Sequence, residues 1–211
     1  MAGLTTLTTV ELLIRLNKEP VGGVIDLSSL DFREANFRHK EVRSKLVELT
    51  SITAKSPENK PLFIDFTNSN LSGRGFYDLD LTHTIMTGII AERAVFTGSN
   101  LSDIQLDQAN LNFADMRYTT LRFTKLHNTS IFGTNFIGAD LTEALGMKFN
   151  SSDKEIIERL GQAGNIYDTK FPENVERIRE DIHQEINKTH NRVKLKDPDN
   201  REVKSNDDDV W

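Results

Sequence analysis

Histidines, carboxylates and hydroxyls are the groups from which a metal site, an acid–base pair or a nucleophile is built, and in this chain they are not arranged for any of these. The five histidines are His39, His83, His127, His183 and His190. His183 and His190 stand seven apart and no cysteine exists to help them, so no metal-binding spacing is present. The absence of cysteine also excludes a thiolate nucleophile and a disulfide framework, and it is compatible with a reducing compartment. Neither a GxxxxGK[ST] loop nor a GxGxxG turn between strand and helix occurs, so phosphate cradling has no support. Carboxylates such as Asp107, Asp115 and Asp140 recur at intervals along the chain; spaced in this way they read as turn residues, because a cleft that shifts pKa values needs them gathered. Serine and threonine abound without a base beside any of them. The expectation is therefore no catalytic residue, no cofactor and no metal.

What the chain does possess is a period. From Phe66 to Leu141 every fifth residue is large and apolar except Ala91: Phe66, Leu71, Phe76, Leu81, Met86, Ala91, Phe96, Leu101, Leu106, Leu111, Met116, Leu121, Leu126, Ile131, Phe136 and Leu141. Five matches neither the 3.6 of a helix nor the two of a strand, so it describes a larger path in which each pentad is one side of a coil. In a short extended piece, residues two apart face the same way. The position two before each large residue should thus also point inward, and eleven of its sixteen occupants are Ala, Ser or Thr. One large and one small inward residue per side suits a narrow, close-packed tube. Ile89 is large where a small residue is usual and compensates Ala91. Arg74 occupies another inward site, where an unpaired guanidinium is too costly to bury, so it must snorkel outward or distort the coil.

Segments such as Ser99-Asn100-Leu101-Ser102-Asp103, Ala109-Asn110-Leu111 and Ala139-Asp140-Leu141-Thr142 closely resemble the pentapeptide-repeat family over about 80 residues. The resemblance implies a mainly β fold, a right-handed quadrilateral β-helix with four pentads to a coil and an N-terminal capping helix, to which the residues beyond 147 add C-terminal α-helices. Sixteen pentads make four coils, a rod ~19 Å long at the usual ~4.8 Å strand spacing. Side chains twenty apart then stack in columns, such as Phe76, Phe96, Met116 and Phe136.

The expected organisation runs as follows. Residues 1–22 form the capping helix, with Thr8 and Glu11 at capping-box spacing before Val10, Leu13, Ile14 and Leu16, and with Pro20 and Gly22-Gly23 ending it. Residues 23–42 make a first irregular coil through Ile25-Asp26-Leu27, Leu30-Asp31-Phe32, Ala35-Asn36-Phe37 and Lys40-Glu41-Val42. Residues 43–61 are an insertion: either a helix through Leu46, Val47 and Leu49 followed by a loop at 55–59, or an irregular coil using Val47, Ile52 and Leu62. Residues 62–146 are the regular β-helix, and 147–193 are C-terminal helices, one opened by Ser152 and Glu155 and stopped by Gly161, the next running from Pro172 to about Asn191. Residues 194–211 are a polar tail.

In this coil geometry Phe113, Tyr118, Phe132 and Ile137 occupy outward or corner positions on two adjacent sides, with Phe123 on the next. Two arrangements remain open. The helical stripe Val175, Ile178, Ile182 and Ile186 folds back over these residues, or the patch is an interface with a partner or a second copy, including a homodimer through the C-terminal helix. The leading functional expectation is a non-enzymatic protein-interaction module or scaffold with a protein partner whose identity the sequence does not name. The family resemblance adds an alternative, a DNA mimic that binds and modulates a type II topoisomerase. Residues 62–146 carry nine acidic and five basic side chains, whereas B-DNA carries ~11 charges over such a length, and the strongest acidic side, Asp80, Asp103, Asp140 and Glu143, is interrupted by Arg122. The formal net charge of −6 argues against direct nucleic-acid binding. No signal peptide and no apolar run near the roughly 20 residues of a membrane span are seen, so no membrane and a cytoplasmic location are expected.

Overall fold

The computed structural model describes residues 4–18, 23–50, 62–147 and 152–196, with side chains to Asn191. Its elements are β1 (Thr5–Thr6), α1 (Thr9–Leu16), β2 (Val24–Asp26), β3 (Leu30–Asp31), α2 (Lys40–Thr50), β4 (Phe63–Asp65), β5 (Thr84–Ile85), α3 (Asp153–Leu160), α4 (Glu173–Glu176) and α5 (Arg179–Lys196). From β4 to Met147 the chain runs through short extended pieces and tight turns, and parallel bridges join residues twenty apart. One ladder is Gly75, Val95, Asp115, Asn135; the others are Asp80, Asn100, Thr120, Asp140, then Ile85, Gln105, Lys125, Leu145, and Ile90, Asn110, Ser130. Four ladders, one per pentad of a coil, are what a twenty-residue turn of chain requires.

The columns follow. Phe76, Phe96, Met116 and Phe136 are each no more than 1% exposed, and the Phe76 and Phe96 rings stack at 5.2 Å with planes 9° apart. Ala91 and Ile89 are both fully buried, as compensation demands. The small inward residues do more than save space. The Thr129 hydroxyl donates to the Leu106 carbonyl at 2.7 Å and the Thr134 hydroxyl to Leu111 at 2.8 Å, each reaching the coil below. A buried hydroxyl without a partner would cost on the order of 1–3 kcal/mol, so threonine is suited here by its bond as well as its size. Arg74 leaves the interior and donates to the Ala35 carbonyl at 2.8 Å.

Outside, Asp and Asn close many of the corners. Asp115 accepts the Arg117 N–H at 3.1 Å, Asn135 the Ile137 N–H at 3.1 Å and Asp140 the Thr142 N–H at 3.0 Å, a side-chain turn two residues on. These carboxylates are therefore turn residues. Asp107 differs: it accepts from the backbone N–H of His127 at 2.9 Å and lies 2.8 Å from His127 Nδ1.

Below the regular coils, β2 pairs with β4 (Ile25 opposite Ile64) and Asp31 bridges Asn70, a spacing of thirty-nine instead of twenty; β1 pairs with β3 beneath them. The additional residues hold α2, which starts at Lys40. The expected fourth pentad Lys40-Glu41-Val42 is thus the first helical turn, because Val42, Leu46 and Leu49 are buried at helical spacing while Val47 is 52% exposed. Arg43 of α2 donates to the Tyr77 carbonyl. In α1 the capping box forms: the Thr8 N–H donates to Glu11 Oε2 at 2.8 Å and the Glu11 N–H to Thr8 Oγ1 at 3.4 Å. Those bonds from Thr8 hold the Glu11 carboxyl below the usual range. The buried face of α1 is Leu12 and Leu16, whereas Val10 and Ile14 are 65% and 56% exposed, which corrects the expected stripe.

The C-terminal region departs further from expectation. Residues 162–171 are two more sides of the coil, with Asn165 bridging Asn135 and Lys170 bridging Asp140; Ile166 and Phe171 retain the five-residue frame, and α3 is the excursion before them. The single helix expected from Pro172 is instead α4 and α5, interrupted at Arg177-Ile178, and α5 continues to Lys196, beyond the expected start of the tail at 194. Gly161 ends α3 without a left-handed turn; a side chain there would meet Glu185 Cγ of α5 at 2.6 Å. Arginines satisfy carbonyls left open at this end. Arg159 donates to Thr129 O, its burial pushing the guanidinium below its ordinary pKa, and Arg179 donates to Thr169 O and, at 3.1 Å, to Ile166 O. Pro20, Gly22, Ile52, the 55–59 loop and residues 197–211 of the tail lie outside the described residues.

Candidate protein-binding face

Coil corners put one residue per pentad at positive φ, a conformation that costs a side chain with a Cβ about 1–2 kcal/mol. Asn68, Asp78, Asp103 and Asn128 fill such corners with the short polar residues that tolerate them best. Phe113, Tyr118 and Phe123 fill three consecutive ones with rings, at φ 59°, 57° and 59°. All three rings face outward, 46%, 62% and 43% exposed.

The next coil builds on them. Phe113 and Phe132 meet edge to face, with centroids 5.4 Å apart and planes at 85°. The Tyr118 N–H donates to the Ile137 carbonyl at 2.8 Å, and the Gly138 N–H to the Tyr167 carbonyl at 2.9 Å, so Tyr118, Ile137 and Tyr167 line up on three successive coils. Phe132 and Ile137 are half-buried and Tyr167 is 63% exposed. Gly133 and Gly138 are required twice over. They sit at φ +67° and +65°, and a Cβ on either would lie 2.5 Å from the Phe113 or Tyr118 ring. Guanidinium groups flank the rings: Arg93 Cζ is 5.1 Å from the Phe113 centroid and Arg122 Cζ 5.6 Å from that of Phe123.

The structure thus brings together Phe113, Tyr118, Phe132 and Ile137 as expected, with Phe123 beside them. It separates them from Val175, Ile178, Ile182 and Ile186, which are buried at 0–4% exposure where α4 and α5 pack on α3 and the last coil. The stripe is therefore used within the chain, and the described part of the C-terminal helices leaves the aromatic face open. Tyr167 was not expected there. Its signal was present in the frame, as Asn165-Ile166-Tyr167 repeats the pentad pattern, but the α3 excursion hides the register.

The remaining chemistry is sparse. His83 Nδ1 lies 3.2 Å from the Thr82 hydroxyl and its ring packs on Phe63, while His127 is committed to Asp107. No group of three metal-ligating side chains occurs among the described residues, nor is any described helix long and apolar enough to cross a membrane. Two open depressions of ≈400 and ≈460 Å³ lie between α1 and α2 and between the last coil and α5. The Thr169 hydroxyl in the second donates to the Phe136 carbonyl at 2.6 Å and is not a free nucleophile. On the acidic side, Arg122 pairs with Glu143 at 3.0 Å, Asp140 accepts from its turn, and Asp80 accepts the Thr82 hydroxyl at 2.8 Å.

Within the five-residue frame, the twenty-residue ladders and the inward pairs, the sequence profile described as pentapeptide repeats matches in eight copies over residues 76–112 and 106–145. Residues 76–145 of this chain are pentapeptide repeats. Their parallel ladders at twenty-residue spacing stack the coils as a β-helix. Among solved structures it is similar to the pentapeptide-repeat protein Rfr23 of the cyanobacterium Cyanothece 51142, at 25% identity over 55% of this chain and 63% of that one, TM-score 0.29. It is also similar to HetL of Nostoc sp. strain PCC 7120, involved in heterocyst differentiation regulation, at 17% identity over 72% and 60%, TM-score 0.25. A trypsin-treated form of QnrB1, a plasmid-mediated fluoroquinolone resistance protein, matches at 16% identity over 72% and 80%, TM-score 0.28. The chain spans about three fifths of the length of the first two. No curated protein matches it.

Proposed function

We propose that this chain is a pentapeptide-repeat protein and a non-enzymatic interaction module of the cytoplasm, whose quadrilateral β-helix, closed by helices at both ends, holds the aromatic face as a rigid surface for a protein partner. One observation carries the reading: Phe113, Tyr118 and Phe123 put three rings in a row, exposed, in a backbone conformation that disfavours them, at corners that Asn, Asp or Gly fill in most other pentads and Arg93, Gln108 and Glu143 in three more. Strain kept at exposed, clustered aromatic positions points to a use beyond folding. The absence of cysteine and the acidic balance fit a cytoplasmic partner other than nucleic acid or a membrane surface.

The test uses purified full-length protein as bait beside a Phe113→Asn/Tyr118→Asn variant, since asparagine tolerates the corner. A partner held by the first and lost by the second supports the reading; equal recovery by both removes the face as the interface. The topoisomerase alternative is less supported, because three of the four carboxylates of the acidic side, Asp80, Asp140 and Glu143, are engaged in turns or in the Arg122–Glu143 pair. A DNA supercoiling assay separates the two: inhibition or protection of gyrase at micromolar protein would favour the mimic.

A further inference from the structure

The aromatic face is open to the described residues, and residues 197–211 contain the chain's one tryptophan in the run Asp207-Asp208-Asp209-Val210-Trp211. We propose that this run docks on the aromatic face of its own chain, with Trp211 against Phe113 and Tyr118, and so competes with the partner; the proposal rests on the face being the binding surface.

Three observations lead there. The first is chemical. Residues 197–211 hold six acidic and two basic side chains, and their large apolar groups are confined to Val203, Val210 and Trp211. A tryptophan beside valine in so polar a run has the character of an anchor, the residue type that dominates interface energetics. The second is charge. Arg93 and Arg122 stand over the Phe113 and Phe123 rings but are already paired with Glu92 and Glu143. Lys125 and Lys170, exposed on adjoining sides, have no carboxylate partner among the described residues. Three consecutive aspartates next to the anchor match these two lysines.

The third is reach. Fifteen residues beyond Lys196 span up to ~50 Å when extended. With α5 about 27 Å long and the Phe113 and Tyr118 coils no more than ~15 Å below the last one, Trp211 can return to those coils of its own chain. An intramolecular anchor also acts at a high effective concentration, which favours it over a second copy at low protein concentration.

Because Trp211 is the only tryptophan, the full chain reports on itself. Its emission and acrylamide quenching are measured for the wild type, for Phe113→Asn/Tyr118→Asn and for Asp207→Asn/Asp208→Asn/Asp209→Asn, with circular dichroism to verify folding. Expected are a blue-shifted emission and several-fold weaker quenching in the wild type, independent of protein concentration. Both should revert towards free tryptophan in the aromatic variant, and in part in the aspartate variant or at high salt. A solvated Trp211 in the wild type overturns the proposal. So does protection that survives the aromatic variant, which places the ring elsewhere, or protection that grows with concentration as the mass doubles, which assigns the face to a second copy. If Trp211 is solvated while the aromatic variant still loses its partner, docking falls and the interaction reading stands.

Discussion

Gly98 and Tyr118 occupy the same corner of successive coils, with φ of 73° and 57°, yet one is the cheapest residue for that backbone and the other among the costliest. Inside the coil the two sites are alike: Phe96 and Met116 sit in one column, both buried. The comparison shows that the interior and the corner answer to different demands. The column needs volume, and any well-fitting large residue serves. The corner needs only a turn, so a ring placed there does something the turn does not ask for.

The strongest way to test the interior half of that statement is Phe96→Ala, which should cost about 3–5 kcal/mol because the coils above and below cannot collapse into the gap. A thermal melt followed by circular dichroism should show a large fall, and an unchanged midpoint would contradict stacked columns. Gly133→Ala should cost about 1–2 kcal/mol from the positive φ alone, with a further loss from displacing the Phe113 ring. Placing the same change in a Phe113→Asn background should remove that second part and leave the first, as read by denaturant unfolding. Thr134→Val, which deletes the hydroxyl bond to Leu111 while retaining shape, should cost about 1 kcal/mol.

Tyr118→Asn sharpens the contrast by reversing the sign: stability should rise slightly or hold, by at most about 1 kcal/mol, while partner capture declines. A clear loss of stability would mean that the ring is needed for folding. The smallest effect concerns pH. The side-chain hydrogen bond from Arg33 holds the Asp31 carboxyl below its ordinary value, and Ser28 does the same for Asp26. A depressed folded pKa stabilises the protein above the unfolded value near ~3.9, and that contribution is lost as pH falls through the folded pKa. Melts should therefore be flat near neutrality and fall in acid, and Asp31→Asn should flatten the acid limb slightly while retaining its turn.

Much of the architecture was legible because the repeat is local. Phe76, Phe96, Met116 and Phe136 identify themselves by spacing alone, and so do the turn roles of Asp115 and Asp140. Other features were hidden for definite reasons. The hydroxyl of Thr134 finds its carbonyl twenty-three residues earlier, a partner visible only once the coil is closed. Val10 and Ile14 satisfy an apolar stripe as well as Leu12 and Leu16 do, and only the position of the solenoid end selects between the two faces of α1. Ile166 and Phe171 kept the frame, but α3 broke the count and concealed two further sides. The candidate site was half legible: spacing placed Phe113, Tyr118, Phe132 and Ile137 together, while Tyr167 and the positive φ of the corner rings came from the coordinates.

By itself the amino-acid order determined which side chains face the axis and how many residues make a turn of the coil. A five-residue pattern repeated so often has few three-dimensional solutions that bury its large residues. The tertiary structure alone decided where the helices rest. Val175, Ile178, Ile182 and Ile186 could have served the aromatic face, a partner or the open end of the tube, since all three are apolar. They went to the end, where α3 and the last coil enclose them and where Arg179 can also satisfy the carbonyls of Ile166 and Thr169.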